Sequence, residues 1–372
     1  MSLEATPQFQ LKPVEEARRQ IEICNACRYC EGFCSVFPAI TRQKAFADGD
    51  IIHLANLCHN CRGCYYSCQY TAPHEFALNI PAVLAEVRQE SWEAYVPPRA
   101  VARLFHESGG KIALALVIGI AAIFWAITAL RPAGGEGFYA VLAHNTMVAI
   151  FAPAFLLPLA AIALGLRSYW RDIGGGIVTA AALSGALTAA AQMRNLDGGQ
   201  GQGCNFEKTD RYSHRRRQFH QAVMYGFLLC FASTSVATVM HYLLGLKAPY
   251  GFFSPPKLLG VPGGLLLVIG TAGLAVLKLR AERELGAVHV WGGEMAFVAL
   301  LGFVGLTGLV LYAATGTALV GPLLTIHLGA VLTLFLLMPF TKMVHGFFRF
   351  AALVAEENKR VTAARAKNAP RA

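Results

Sequence analysis

The sequence predicts an all-α protein in two parts: a polar, cysteine-bearing N-terminal domain joined to a bundle of six membrane-spanning helices. Three observations lead there. The chain changes character at one place, six apolar runs follow the change, and two cysteine blocks of identical spacing precede it. Of 372 residues, 55% are hydrophobic and only 15% charged, which is too apolar for an ordinary soluble protein. Eight of the ten cysteines lie before Lys111, and from Ile112 onward the chain consists mostly of long uncharged runs.

The first twenty residues carry Glu4, Glu15, Glu16, Arg18 and Arg19 and no apolar core. They do not read as a secretory signal, so the N-terminal part is expected in the cytoplasm. A reducing compartment in turn argues against disulfides. The expected division is a cytoplasmic domain at 1–105, a transmembrane bundle at 106–348 and a basic cytoplasmic tail at 349–372.

A spanning helix needs roughly 20 apolar residues to cross about 30 Å of hydrocarbon. Six stretches qualify: 112–130, 138–166, 222–246, 258–277, 295–312 and 322–340. The second contains Pro153 and Pro158, which predict a tilt or kink. A seventh, Ala- and Gly-rich run at 173–193 is weaker and is read as a helix packed at the inner face. Six crossings then leave only Arg131, Lys247 and Lys257 of the 32 Lys and Arg residues in outer loops, as the positive-inside rule requires. Seven crossings would place Arg215, Arg216 and Arg217 outside. The net charge of +10 is therefore orientation within a lipid bilayer, not nucleic-acid binding. Both termini are expected on the cytoplasmic side of a bacterial inner membrane.

The cysteine blocks are Cys24-x2-Cys27-x2-Cys30-x3-Cys34 and Cys58-x2-Cys61-x2-Cys64-x3-Cys68. A cubane cluster needs three thiolates from one tight loop and a fourth from a remote position. In two-cluster ferredoxins the fourth cysteine of each block serves the other cluster. Cys24, Cys27, Cys30 and Cys68 are therefore assigned to one [4Fe–4S] cluster, and Cys58, Cys61, Cys64 and Cys34 to a second. Structural zinc takes ligands as separated pairs rather than a triplet plus one. Ser35 and Gln69 stand where small ferredoxins have proline, and the segment 39–57 reads as helix rather than hairpin. The nearest resemblance of this block is to the α-helical ferredoxin domain of succinate dehydrogenase and heterodisulfide reductase subunits. Arg28, Arg62, His59 and His74 are candidates for tuning cluster potential, with a solvated surface as the plainer alternative.

Ionisable groups inside spans are expensive and usually functional. His220 and His241 mark the two ends of the third span; His327 and His345 mark those of the sixth. The last pair is about five turns apart, so both are expected to point the same way. The third span runs outward and the sixth inward. His220 is therefore expected to face His345 at the inner level, and His241 to face His327 at the outer one. Facing imidazoles can hold the axial positions of haem iron between helices, so one or two haem b groups are expected. His144 and His289 are spare candidates. Cys230 reads as packing and Cys204, in the loop 195–214, as a free thiol. Arg215, Arg216 and Arg217 suit haem propionates or a quinone headgroup, or simply anchor the topology. Tyr212, Trp170 and Trp291 read as interfacial aromatics.

No dinucleotide fingerprint appears, since the glycines at 174–176 and 198–203 do not link a strand to a helix. There is no P-loop, no defensible Ser/His/Asp set, and no acidic residue within the predicted spans. The chain has wiring but no organic-substrate site of its own. A substrate dehydrogenase would be a separate polypeptide, most simply a flavoprotein.

The paired cysteine blocks, the segment Arg-Arg-Arg-Gln-Phe-His ending at His220, the segment His-Tyr-Leu-Leu-Gly starting at His241, and Pro249, Tyr250, Pro255 and Pro256 together resemble the tricarballylate (citrate) utilisation protein B family over essentially the whole length. The resemblance implies a partner, an FAD-dependent dehydrogenase that oxidises tricarballylate to cis-aconitate. It implies that the eight cysteines bind clusters, that the span histidines are haem candidates, and that electrons go on to membrane quinone. The bundle is also similar in layout to respiratory cytochrome b subunits, such as the gamma subunit of nitrate reductase, by architecture only. The alternatives are a conduit for another flavin-dependent or thiol–disulfide oxidoreductase, or a membrane redox sensor.

Overall fold

A computed structural model describes residues 11–130, 142–198, 201–205, 211–246, 248 and 250–368. Glu4, Arg131, Lys247, Pro249, the start of the second expected span (138–141), and parts of the loop 195–214 and of the glycine run 198–203 lie outside the described residues. Among the described residues there are thirteen α-helices and no strand beyond an isolated bridge between Cys204 and Ser213.

The N-terminal domain holds α1 (Leu11–Cys27), α2 (Val36–Thr41), α3 (Asp48–Leu57), the one-turn α4 (Gly63–Tyr66) and α5 (Ile80–Tyr95). In α1, Val14, Ala17 and Ile21 are buried, the three-to-four spacing of an amphipathic helix. The helix expected across 39–57 is two helices, α2 and α3, with a break between them. The Asp50 carboxylate accepts the Ala47 amide at 3.1 Å and so starts α3 there. Asn79 caps α5 by accepting from the Ala82 amide at 3.1 Å, with Pro81 in the first turn. Ile51, Ile52, Leu54 and Leu57 are wholly buried against α5, each contributing about 1.5–3 kcal/mol.

Six helices are long and apolar enough to cross a membrane: α6 (Arg99–Leu130), α7 (His144–Asp172), then, after the short α8 (Ala180–Gln192), α9 (Arg215–Leu243), α10 (Pro255–Arg280), α11 (Trp291–Ala313) and α12 (Val320–Leu337). They mark a multi-pass membrane protein. Ser108, at φ −132°, divides α6 into a short arm and the spanning stretch. Pro153 and Pro158 lie inside α7 without ending it, which neighbouring helices permit in a membrane. At 13 residues, α8 rises about 20 Å, too little to cross about 30 Å of hydrocarbon.

Helix α9 packs on α10 with backbones nearly touching. A Cβ at Gly226 would lie 2.6 Å from the Leu267 amide nitrogen, and one at Gly270 would lie 2.8 Å from the Phe219 carbonyl. Small residues are what allow such an approach. Helix α10 leans on α11, α11 and α12 on α6, and α7 on α12.

The last helix, α13 (Val344–Asn368), begins after a 3₁₀ turn at Met338–Phe340 that interrupts the polypeptide beyond α12. Most of the segment expected as a tail is therefore an ordered helix. It packs on α8, α3 and α7, with Phe348, Ala352 and Ala355 buried and Arg42 bonded to Glu356. The domain docks on the bundle through α3, α5, α7 and α13. A Cβ on Gly49 would lie 2.1 Å from the Asp172 carbonyl oxygen, and the Tyr95 hydroxyl donates to Asp172 at 2.9 Å.

Candidate functional site

Both cysteine blocks fold in the same way. Each starts where a helix ends: Cys24 and Cys27 close α1, and Cys58 caps α3. The residue after the second cysteine then turns left-handed, Arg28 at φ +57° and Arg62 at φ +69°. Non-glycine residues adopt that region at a cost, here repeated at equivalent positions so that the third cysteine can curl back. In the second block backbone amides point at sulfur at both ends, Asn60 to Cys58 Sγ and Tyr70 to Cys68 Sγ, each at 3.4 Å.

The fourth cysteines cross over. Cys24, Cys27, Cys30 and Cys68 line one cavity of about 240 Å³ together with Phe37, Leu78 and Ile80; Cys34, Cys58 and Cys61 line an adjoining narrow crevice, and Cys64 stands between the two and lines both. Burial, with Cys30, Cys68 and Cys27 alongside, pushes the Cys24 thiol up to about 12. Burial and neighbouring Cys61 and Cys58 likewise push Cys34 up. Left empty, the site favours neutral thiols; a positive centre among them would hold the four as thiolates. Among the described residues no three Cys, His, Asp or Glu side chains converge as they would around a single ion. A cubane binds each cysteine to a different iron and needs them spread around a box, which is the spacing a triplet plus a crossing cysteine supplies.

A basic layer separates the second block from the bundle. Arg88 Nη1 and Arg349 Nη2 each donate to the Cys58 carbonyl at 2.8 Å, and Arg216 Nη1 donates to the Asn60 carbonyl at 2.6 Å. Burial, with Arg349 beside it, pushes His59 well down, and its Nδ1–H donates to the Leu57 carbonyl at 2.8 Å. Trp92, held by Asn56 at 2.8 Å, lies with its ring centre 5.8 Å from Arg88 Cζ and 6.4 Å from the His345 ring.

Below this layer His220 of α9 and His345 of α13 face each other, ring centres 5.8 Å apart and planes at 84°. Imidazoles sharing one iron stand about 6 Å centre to centre, given metal–nitrogen bonds of roughly 2 Å. His345 Nδ1 bonds the Lys342 carbonyl. A carbonyl only accepts, so that nitrogen carries the proton and Nε2 keeps the lone pair a metal would take. The His220 Nδ1 is buried with no hydrogen-bond partner. Both residues fit a haem held between helices.

The other expected pair is not formed. His327 faces α11, its Nδ1 3.0 Å from the Thr307 hydroxyl. His241 instead stacks on His144, ring centres 4.1 Å apart and planes at 22°, and His144 Nε2 bonds the Tyr242 hydroxyl at 2.8 Å. Stacked so closely, face to face, these rings do not flank an iron. The expectation failed for two physical reasons. Helix α9 packs on α10 rather than α12, and the break at Met338–Phe340 removes the shared face assumed for His327 and His345. His289 lies away from both pairs, 3.1 Å from Glu86. Cys204 is a free thiol, as expected, and it is buried beside Cys61, its Sγ donating to the Leu196 carbonyl at 3.3 Å.

The citrate utilization protein B family model matches residues 97–367, and the model of that family's Fer4-like domain matches residues 17–94. The chain belongs to the citrate utilization protein B family. It is 42% identical over 349 residues to the citrate utilization protein B of Escherichia coli, covering 92% of each chain. No solved structure matches. The two matches meet between 94 and 97, at the junction of α5 and α6, so the family's two parts coincide with the cysteine-bearing domain and the bundle.

Sequence reasoning missed several residues that tie elements of this fold together. Arg88 looked like one more charge on a polar helix. Glu294, just outside the fifth apolar run, holds both Lys278 and Lys342, the latter at 2.5 Å. Gly49 showed no signal of close approach. An acidic residue abutting an apolar run was the one available hint.

Proposed function

We propose that this protein carries electrons from the reduced flavin of a partner dehydrogenase to membrane quinone, in the service of citrate or tricarballylate use. Two [4Fe–4S] clusters and haem b would supply one-electron chemistry when bound. Cys24, Cys27, Cys30 and Cys68 would hold the first cluster, Cys58, Cys61, Cys64 and Cys34 the second, and His220 with His345 the haem. The observation that carries the reading is the adjacency of three sites, each next to the one before. The first cavity opens beside the exposed Cys27 and Tyr29, the second adjoins it, and the histidine pair follows beneath the basic layer.

The chain's own residues have definable tasks. The exposed rim at Tyr29 and Arg28 is where an electron donor can approach, since the first cavity is the outer one. The buried crevice around Cys34 excludes water from the second site. Lys342 and Asn56 orient His345 and Trp92 through the bonds described above. The Lys- and Arg-rich end of the bundle faces the cytoplasm of a bacterial inner membrane by the positive-inside rule, which places the docked domain and its dehydrogenase there.

Anaerobic purification followed by iron, acid-labile sulfide and pyridine haemochrome analysis tests the cofactor set. Vesicles given reduced flavoprotein and a quinone analogue test the flux. Zinc in place of iron and sulfide, or full clusters with no quinone reduction, would overturn the proposal.

A further inference from the structure

The layer between the second cysteine set and the histidine pair holds more positive charge than the chain's own acids balance. Arg88 is 7% exposed. Its Nη1 donates to the Ala55 carbonyl at 3.3 Å and to that of Cys58 at 2.8 Å. Arg349, on α13, reaches the same carbonyl at 2.8 Å, and its Nε donates to the Asn56 carbonyl at 3.4 Å. Among the described residues no carboxylate stands within ion-pair distance of either guanidinium. Glu294, a carboxylate whose charge acts on Arg349, is already shared between Lys278 and Lys342. Uncompensated buried charge is costly, so a negative group belongs close by. A cubane held by four thiolates is such a group, and it becomes one unit more negative on reduction.

We propose that Arg88 and Arg349 are positioning residues for the second cluster, clamping the Cys58 carbonyl from two helices and favouring the reduced form by their charge. This rests on the cluster assignment proposed above. The two arginines come from α5, in the domain, and α13, beyond the bundle. Their shared carbonyl therefore ties the ligand loop to both parts of the protein. A raised potential at the inner site draws an electron from the outer cluster toward the membrane. A plain role as cations at the C-terminal end of α3 would affect stability and leave the potential alone.

The test is an EPR-monitored redox titration of the full-length protein in detergent, comparing wild type with Arg88→Gln, Arg349→Gln and Arg88→Lys. The second-cluster signal is identified as the one altered in Cys61→Ser. Each Gln variant is expected to lower the reduced-to-oxidised ratio of that cluster about tenfold at a given potential, a shift of about 59 mV for one electron. The first cluster should not move, and Arg88→Lys should recover much of the shift. Loss of the second cluster alone also supports the clamp. An unchanged second-cluster potential in a Gln variant that keeps both clusters overturns the inference, as does loss of both clusters together in both Gln variants. If wild type itself shows no cluster signal, the proposed function fails instead, which keeps the two outcomes distinct.

Discussion

Replacing Glu294 by Gln removes a negative charge shared by two ammonium groups. The carboxylate lies in the first turn of α11, Lys278 near the end of α10, and Lys342 in the turn before α13. One side chain thus ties three elements at the end of the bundle that carries the domain. Glu294 is 17% exposed and Lys278 15%, so water screens that pair little, while Lys342, at 32%, is screened more. Removing one partner of a buried pair costs about 3–5 kcal/mol, because the remaining charge is left without compensation. Lys278 also lies over Trp291, 5.5 Å from the ring centre, a cation–π contact worth about 0.5–1 kcal/mol or more that survives the change. The lower figure, about 3 kcal/mol, is therefore expected. At roughly 2 °C per kcal/mol for a large cooperative unit, the melting temperature in detergent should fall by about 6 °C. Tryptophan fluorescence is a suitable probe because Trp291 sits beside the trio. Since His345 rests on the Lys342 carbonyl, haem content should fall as well. Replacing all three residues (Glu294→Gln, Lys278→Met, Lys342→Met) should restore much of the loss, because apolar groups tolerate burial that unpaired charges do not. A single variant melting within about 1 °C of wild type would refute the reasoning, as would a triple variant no more stable than the single.

Because the fourth cysteines cross, Cys34→Ser should remove roughly half of the iron and acid-labile sulfide and abolish the same EPR signal as Cys61→Ser; sharing a signal with Cys27→Ser would contradict the crossing. His345→Leu and His220→Leu should each abolish the haem spectrum, whereas His327→Leu should retain it, since His327 pairs with Thr307; the reverse pattern in visible spectra would reject the inner pair. His53 is wholly buried, with Nε2 3.6 Å from Glu356, and burial holds its pKa below 6.5. The unfolded chain then binds the extra proton more readily, so the stability due to His53 is present above about pH 6.5 and is lost as the pH falls further. Melts from about pH 7 down to about pH 5 should be less steep for His53→Leu than for wild type; equal slopes would rule this out.

Six spans and the gathering of the two cysteine blocks around adjoining cavities were legible because each is carried by a local signal: hydropathy over about 20 residues, or a spacing of two and three within one loop. The separation into two parts was legible from a single change of composition. The histidine pairing was only half legible. His220 and His345 meet, but His241 meets His144, because helix neighbours are chosen by glycine contacts such as Gly226 against Leu267 that no periodicity reveals. Equally invisible were the arginines that converge on Cys58 from α5 and α13. Spacing along the chain encodes what one segment can bind by itself. Which buried charges and rings come together across segments depends on how helices pack in three dimensions, and that was decided only when the chain closed.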